Sequence, residues 1–178
     1  MNPAHWHLLI NHVPILGSLF GLLLLLLAVV LRTQPVLLRT GLATLLVAAL
    51  LTIPTQVSGD GAEETVEDLP GVSEALIHAH EEAAELSFWV MEATGVLALI
   101  SLLLLARGHT RAGLVTYLTL AGALASFGLL ARTGYLGGQI MHPEARSTFG
   151  TAGGEPEDHD DWVSGRTASL LFIICWYR

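Results

Sequence analysis

The residues most capable of chemistry in this 178-residue chain are its eight histidines, set beside sixteen acids and eight arginines and no lysine. Neutral imidazole is the commonest protein ligand for transition metals and for haem iron. Five of these side chains, His5, His12, His78, His80 and His142, fall on three different apolar segments. His5 and His12 are seven residues apart, a spacing that puts both on one face of a continuous helix. His78, Glu81 or Glu82, Glu85 and Glu92 form a second stripe at helical spacing. His78 and His80 are two residues apart and point about 160° away from each other on a helix, so one ion cannot take both. His7, His109 and His159 are expected to be solvated: His7 toward lipid or a loop, His109 in a short basic connection, and His159 in an acidic tail.

Two chemistries fit this set. In a b-type cytochrome, axial histidines come from facing helices, small residues let the macrocycle approach the backbone, and a cation pairs with the propionates. His5, His12, His78, His80 and His142 are the axial candidates, and Arg132 is the cation for the propionates. Gly17, Gly95, Gly134, Gly137 and Gly138 are the small residues, although glycine serves close helix packing in membranes equally well. The second chemistry is a bare transition-metal site at His12, His80, His142 and Glu85, with nitrogen and oxygen donors suited to zinc, copper or iron. A di-iron carboxylate site needs two Glu-x-x-His repeats, which the chain lacks. The competing bland reading is an interfacial belt of His, Trp and Tyr at headgroup level, which Trp6, Trp89 and Tyr135 fit. Glu92 stands apart, because an ionisable group within a bilayer is costly and marks a functional site by default. A proton relay, a quinone contact shared with Gln56, or a partnership with Arg132 are the roles open to it.

The elements that must position these residues are membrane helices. The chain is 52% hydrophobic and 13% charged, with a mean hydropathy of +0.59, well short of the roughly 25% charge of a soluble domain. Segments 13–31, 36–57, 86–106 and 112–135 each approach or exceed the about 20 apolar residues that a span requires. The expected fold is an all-α, four-helix transmembrane bundle over 1–142, followed by an acidic outer tail over 143–178 with a short apolar terminal segment. That segment, 168–177, has about half the length of a span; an interfacial anchor, a docking site for other membrane subunits and the start of a truncated helix are all open readings. Asn2 and Pro3 predict a helix start. Pro14 predicts a bend that frees a carbonyl near Ile10. Ser73 is the expected N-cap of the third span, whose helix should begin well before its apolar part.

Charge gives an orientation. Arg32 and Arg39 flank the first connection, Arg107 and Arg111 the third, and neither connection carries an acid. All acids lie in 60–92 and 144–161. The positive-inside rule then puts both termini on the periplasmic or extracellular side, as in a multi-pass protein of a bacterial inner membrane. No cleavable signal peptide is expected, because the first apolar run lacks a basic leader and a small-residue cleavage site. A net charge of −8 argues against nucleic acid as a partner. One cysteine, Cys175, excludes an internal disulfide and a thiolate cage. No nucleophile–base pair or nucleotide loop supports a hydrolase or a kinase.

Measured by helical rise from the arginine end, His12, Glu85 and Arg132 stand at about 30–33 Å, Gln56 at about 26 Å and Glu92 at about 22 Å. His5, His78, His80 and His142 stand at about 40–46 Å.

Three stretches, HLLINHVPILG (7–17), GVSEALIHAHEE (71–82) and TGYLGGQIMHP (133–143), resemble a family of small bacterial four-helix membrane proteins whose function is unassigned. The resemblance covers about residues 5–143, and the Gly-Gly-x-x-x-His ending of the last helix is its most specific part. It implies the four-helix architecture and singles out His12, His80 and His142, which puts them first among the axial candidates, with His5 and His78 next. The layout is also similar to that of b-type cytochrome membrane subunits, by analogy only. The combined expectation is a haem b protein passing electrons near the outer face, with a quinone or a larger respiratory or photosynthetic complex as its partner. The alternatives are metal-ion binding or transport, and a cofactor-free accessory subunit.

Overall fold

The computed structural model describes residues 2–31 and 35–146. The elements in order are α1 (Pro3–Ile10), α2 (His12–Leu31), α3 (Pro35–Val66), α4 (Glu74–Ala106), α5 (Ala112–Met141) and a 3-10 turn, Pro143–Ala145. Four helices among the described residues are long and apolar enough to cross a membrane: Pro3–Leu31, taken as one, then α3, α4 and α5. Arg32, His159, Cys175 and the apolar segment 168–177 lie outside the described residues.

The first span starts where the sequence places it. Asn2 caps α1, its side chain accepting from the His5 N–H at 2.9 Å, and Pro3 opens the helix. Asn11 then separates α1 from α2. Pro14 explains the break: it has no N–H for the Ile10 carbonyl. That carbonyl lies 3.5 Å from the Thr55 hydroxyl of α3 instead.

The second span is longer than its apolar part. Residues 58–66, which hold two glycines and three acids, continue α3 to Val66. Ser58 and Thr65 hydroxyls bond back to the Thr55 and Gly61 carbonyls at 2.8 and 2.7 Å. Gly61 lets Pro3 of α1 close in, since a Cβ there would meet Pro3 Cβ at 3.0 Å. Contact with α1 thus offsets the poor helix propensity of this stretch. Ser73 occupies the α4 cap position with extended backbone but makes no side-chain capping bond. Gly108, at φ 62°, ends α4 in the left-handed conformation that glycine adopts without strain.

The helices run up and down in chain order, and α2–α3, α3–α4, α4–α5 and α5–α2 are all packed pairs. They close a four-membered ring, and α1 lies along α3. Arg39, Arg107 and Arg111 share one end; Asp60, Glu63, Glu74 and Glu81 share the other. The core between them is small-sided. A Cβ on Gly17 would stand 2.7 Å from Ala48 Cβ, and one on Gly95 would collide with Ala49. Packing without side chains between backbones is how membrane helices associate. Gly17 and Gly95, weighed above as room for a macrocycle, serve this packing.

The α4–α5 seam is polar and periodic. Ser87 pairs with Thr133 at 2.8 Å, Thr94 with Ser126 at 3.0 Å and Ser101 with Thr119 at 3.1 Å. Each rung is seven residues from the next on both helices, in antiparallel sense. A seven-residue repeat keeps one face of a helix against its neighbour over its whole length. Most of these hydroxyls also bond a carbonyl one turn back, as Thr94 does to Val90 at 2.8 Å.

Candidate functional site

His80 lies seven residues before Ser87 and continues this seam beyond its last hydroxyl rung, at the acidic end. Its Nδ1 is 2.9 Å from the Thr133 carbonyl. A carbonyl only accepts, so Nδ1 carries a proton, and in the neutral ring Nε2 keeps its lone pair. Thr133 thereby fixes the ring with its backbone while its hydroxyl bonds Ser87. Gly137 lies beside the same ring: a Cβ there would stand 2.9 Å from His80 Cε1. Gly137 is therefore glycine because His80 occupies the space of its side chain.

The partner of His80 is His7. The expectation that His7 faces lipid or a loop is overturned: it is half-buried, and its ring centroid lies 6.5 Å from that of His80 with the planes at 90°. His7 Nδ1 is 2.9 Å from Ser58 Oγ. The Ser58 hydroxyl donates to the Thr55 carbonyl at 2.8 Å. Ser58 Oγ must then accept from His7, which sets the same tautomer, Nδ1–H with Nε2 free. Two imidazoles, on α1 and α4, are thus anchored by contacts to α3 and α5. A ring N–H tied to an oxygen while the other nitrogen stays free is the usual arrangement behind a metal-ligating histidine.

The other histidines stand apart from this pair. His12 is exposed, and its Nδ1 turns back to the Leu8 carbonyl at 3.0 Å. The face it would share with His5 assumes a continuous helix, and Asn11 interrupts that helix. His5 is exposed. His78 has 71% of its side chain exposed and meets Glu81 at 3.2 Å. It points away from His80, as a two-residue spacing requires. His142 is exposed and meets Glu144 at 2.9 Å. Its own backbone N–H and then His142 hold the Glu144 carboxyl below the usual carboxylate range. His12, His80 and His142 with Glu85 do not converge: among the described residues no three His, Cys, Asp or Glu side chains are placed to hold one ion.

Arg132, Glu85 and Gln56 are exposed. Glu92 is half-buried on α4, with one carboxyl oxygen, Oε1, shut off from solvent and without a hydrogen-bond partner. The Asn11 side-chain oxygen at the helix break is in the same condition. Of the glycines ahead of His142, Gly137 abuts His80, Gly134 abuts Ile15, and Gly138 has open space beside it.

One further contact has no signal in the spacing of the sequence. Arg146 donates to the Gln139 carbonyl at 2.9 Å, to Ile140 at 3.0 Å and to Gly71 at 3.1 Å. It clasps the end of α5 to the turn between α3 and α4. Comparison with protein-family models, with curated proteins and with solved structures gave no match.

Proposed function

We propose that this chain is a haem b-binding integral membrane protein that carries electrons near one membrane face, with His7 and His80 as the axial ligands. The observation that carries the reading is the pair of imidazoles, each anchored through Nδ1, with ring centroids 6.5 Å apart. Haem iron takes two protein donors, because the macrocycle supplies the other four, and two is the number brought together here. A structural zinc site takes four protein ligands and a catalytic one three. Gly59, beside His7, leaves open backbone where a larger side chain would crowd a flat ring. Arg132, at the same end, is available to propionates. Haem supplies one-electron chemistry when bound; the protein's part is to fix the ring tautomers and keep both Nε2 atoms unprotonated.

The arginine end faces the cytoplasm in this proposal and the histidine end the periplasm, in a bacterial inner membrane. The motif resemblance to small bacterial four-helix membrane proteins agrees with that setting. Glu92, with its unpartnered oxygen, is the group best placed to exchange a proton with a quinone.

The reduced-minus-oxidised visible spectrum of the purified full chain is the test. A b-type difference spectrum is expected, lost in His7→Ala and in His80→Ala and kept in His5→Ala, His12→Ala and His142→Ala. A colourless preparation from haem-replete cells would refute the proposal. Stoichiometric zinc or copper in that preparation, lost on His80→Ala, would transfer the same pair to metal-ion binding.

A further inference from the structure

We infer that the groove between α2 and α3 is a binding site for one anionic phospholipid, with an acyl chain in the groove and the phosphate on Arg39. The groove has a volume of about 510 Å³ and is lined by Gly17 on one side and Ala43, Val47 and Leu51 on the other, with Arg39 at its end. It exists because small residues stand where larger ones would fill the surface: Gly17 and Ala48 bring the helices together below it, and Ala43 leaves its flank open.

Its length selects the occupant. From Arg39 to Leu51 is 12 residues, or about 18 Å at 1.5 Å per residue. One leaflet is about 15 Å, half of a 30 Å hydrocarbon core. The groove therefore starts at headgroup level and runs one leaflet deep. A helix of a second copy is about 10 Å across and would span both leaflets.

Charge selects the headgroup. Arg39 is exposed and makes no hydrogen bond or ion pair among the described residues. The end it occupies holds no acid among those residues, so nothing there competes for the guanidinium or repels a phosphate. A planar guanidinium binds phosphate oxygens in pairs. Thr40, exposed beside it, adds a hydroxyl at the same level. Arg39 stands at the opposite end of the bundle from His7 and His80, so the phosphate contact stands or falls independently of the haem proposal.

Native mass spectrometry of the full chain, extracted in mild detergent and titrated with phosphatidylglycerol or phosphatidylcholine of matched chains, tests this. One retained phosphatidylglycerol per chain is expected, favoured at least tenfold over phosphatidylcholine. Arg39→Gln should remove the preference. Ala43→Phe, which fills the groove from an exposed position, should remove retention of both lipids while the helical circular dichroism stays unchanged. Equal retention of the two lipids by the unaltered chain would overturn the assignment, as would retention that survives Ala43→Phe. Displacement of the lipid by inorganic phosphate alone would reduce the site to an anion contact and overturn it too. So would a dimer that Ala43→Phe dissociates, because the groove would then belong to a second copy.

Discussion

At the scale of residues, the decisive matter is which nitrogen of each histidine is engaged. His7 and His80 both spend Nδ1–H on an oxygen fixed by the backbone around it, which leaves two Nε2 lone pairs. Gly137→Ala puts a methyl 2.9 Å from His80 Cε1, closer than unbonded atoms approach, so the ring must move. If His80 is an axial ligand, this variant shifts or weakens the difference spectrum while leaving helix content intact; an unchanged spectrum would remove His80 from the ligand set. Ser58→Ala is milder. It removes the acceptor that sets the His7 tautomer, and the loss of one such contact behind a ligand lowers metal affinity about 10- to 100-fold, measurable by haem titration of the apoprotein. The exposed pair at the end of α5 carries a pH prediction. The Glu144 carboxyl is held low by its own backbone N–H first and by His142 second. A carboxyl lowered in the folded state contributes stability at pH above its ordinary value and loses it as pH falls through the lowered one. Carbon-13 NMR should find Glu144 titrating below free glutamate, and His142→Ala should return it only part of the way, since the backbone donor stays.

At the scale of elements, the α4–α5 seam carries the site. Three hydroxyl rungs seven residues apart fix the register of the two helices, and His80 takes the next position. Interhelical hydrogen bonds of this kind contribute about 0.6 kcal/mol each, up to about 1.7. A double-mutant cycle on Thr94→Ala and Ser126→Ala should return a coupling in that range, read from unfolding in detergent. Gly95→Leu is expected to cost more, about 1–3 kcal/mol, because its side chain would displace Ala49 and part α3 from α4. The rung pattern was legible in principle: Ser87, Thr94 and Ser101 ascend by sevens as Thr133, Ser126 and Thr119 descend. It was hard to weigh because single Ser and Thr residues are common in apolar helices and bond their own carbonyls. The extension of α3 to Val66 had no such signal. Gly59, Asp60 and Gly61 read as a turn, and only the contact with α1 makes them helix.

At the scale of the whole molecule, separating the charges between the two ends gives the bundle its polarity. A reactive cysteine placed at His109, in a Cys175→Ser background, should be labelled by an impermeant reagent only after the membrane is opened, whereas one at Leu69 should be labelled in intact cells. The reverse pattern would invert the proposed orientation and put the histidine end in the cytoplasm.

The amino-acid sequence alone determined the four apolar helices, because span length and hydropathy are local properties. It also determined that the acids gather away from Arg39, Arg107 and Arg111, and it determined the Asn2 start of the first helix. The heights of the histidines followed from rise per residue. Which of them meet did not, because that depends on azimuth, and azimuth depends on the break at Asn11 and on the register of neighbouring helices. Tertiary structure exposed His12 and His142, and it turned His7 inward to meet His80 at the acidic end of the bundle. A side chain's direction about its helix is set by everything packed against that helix, and no spacing rule along one strand of sequence contains it.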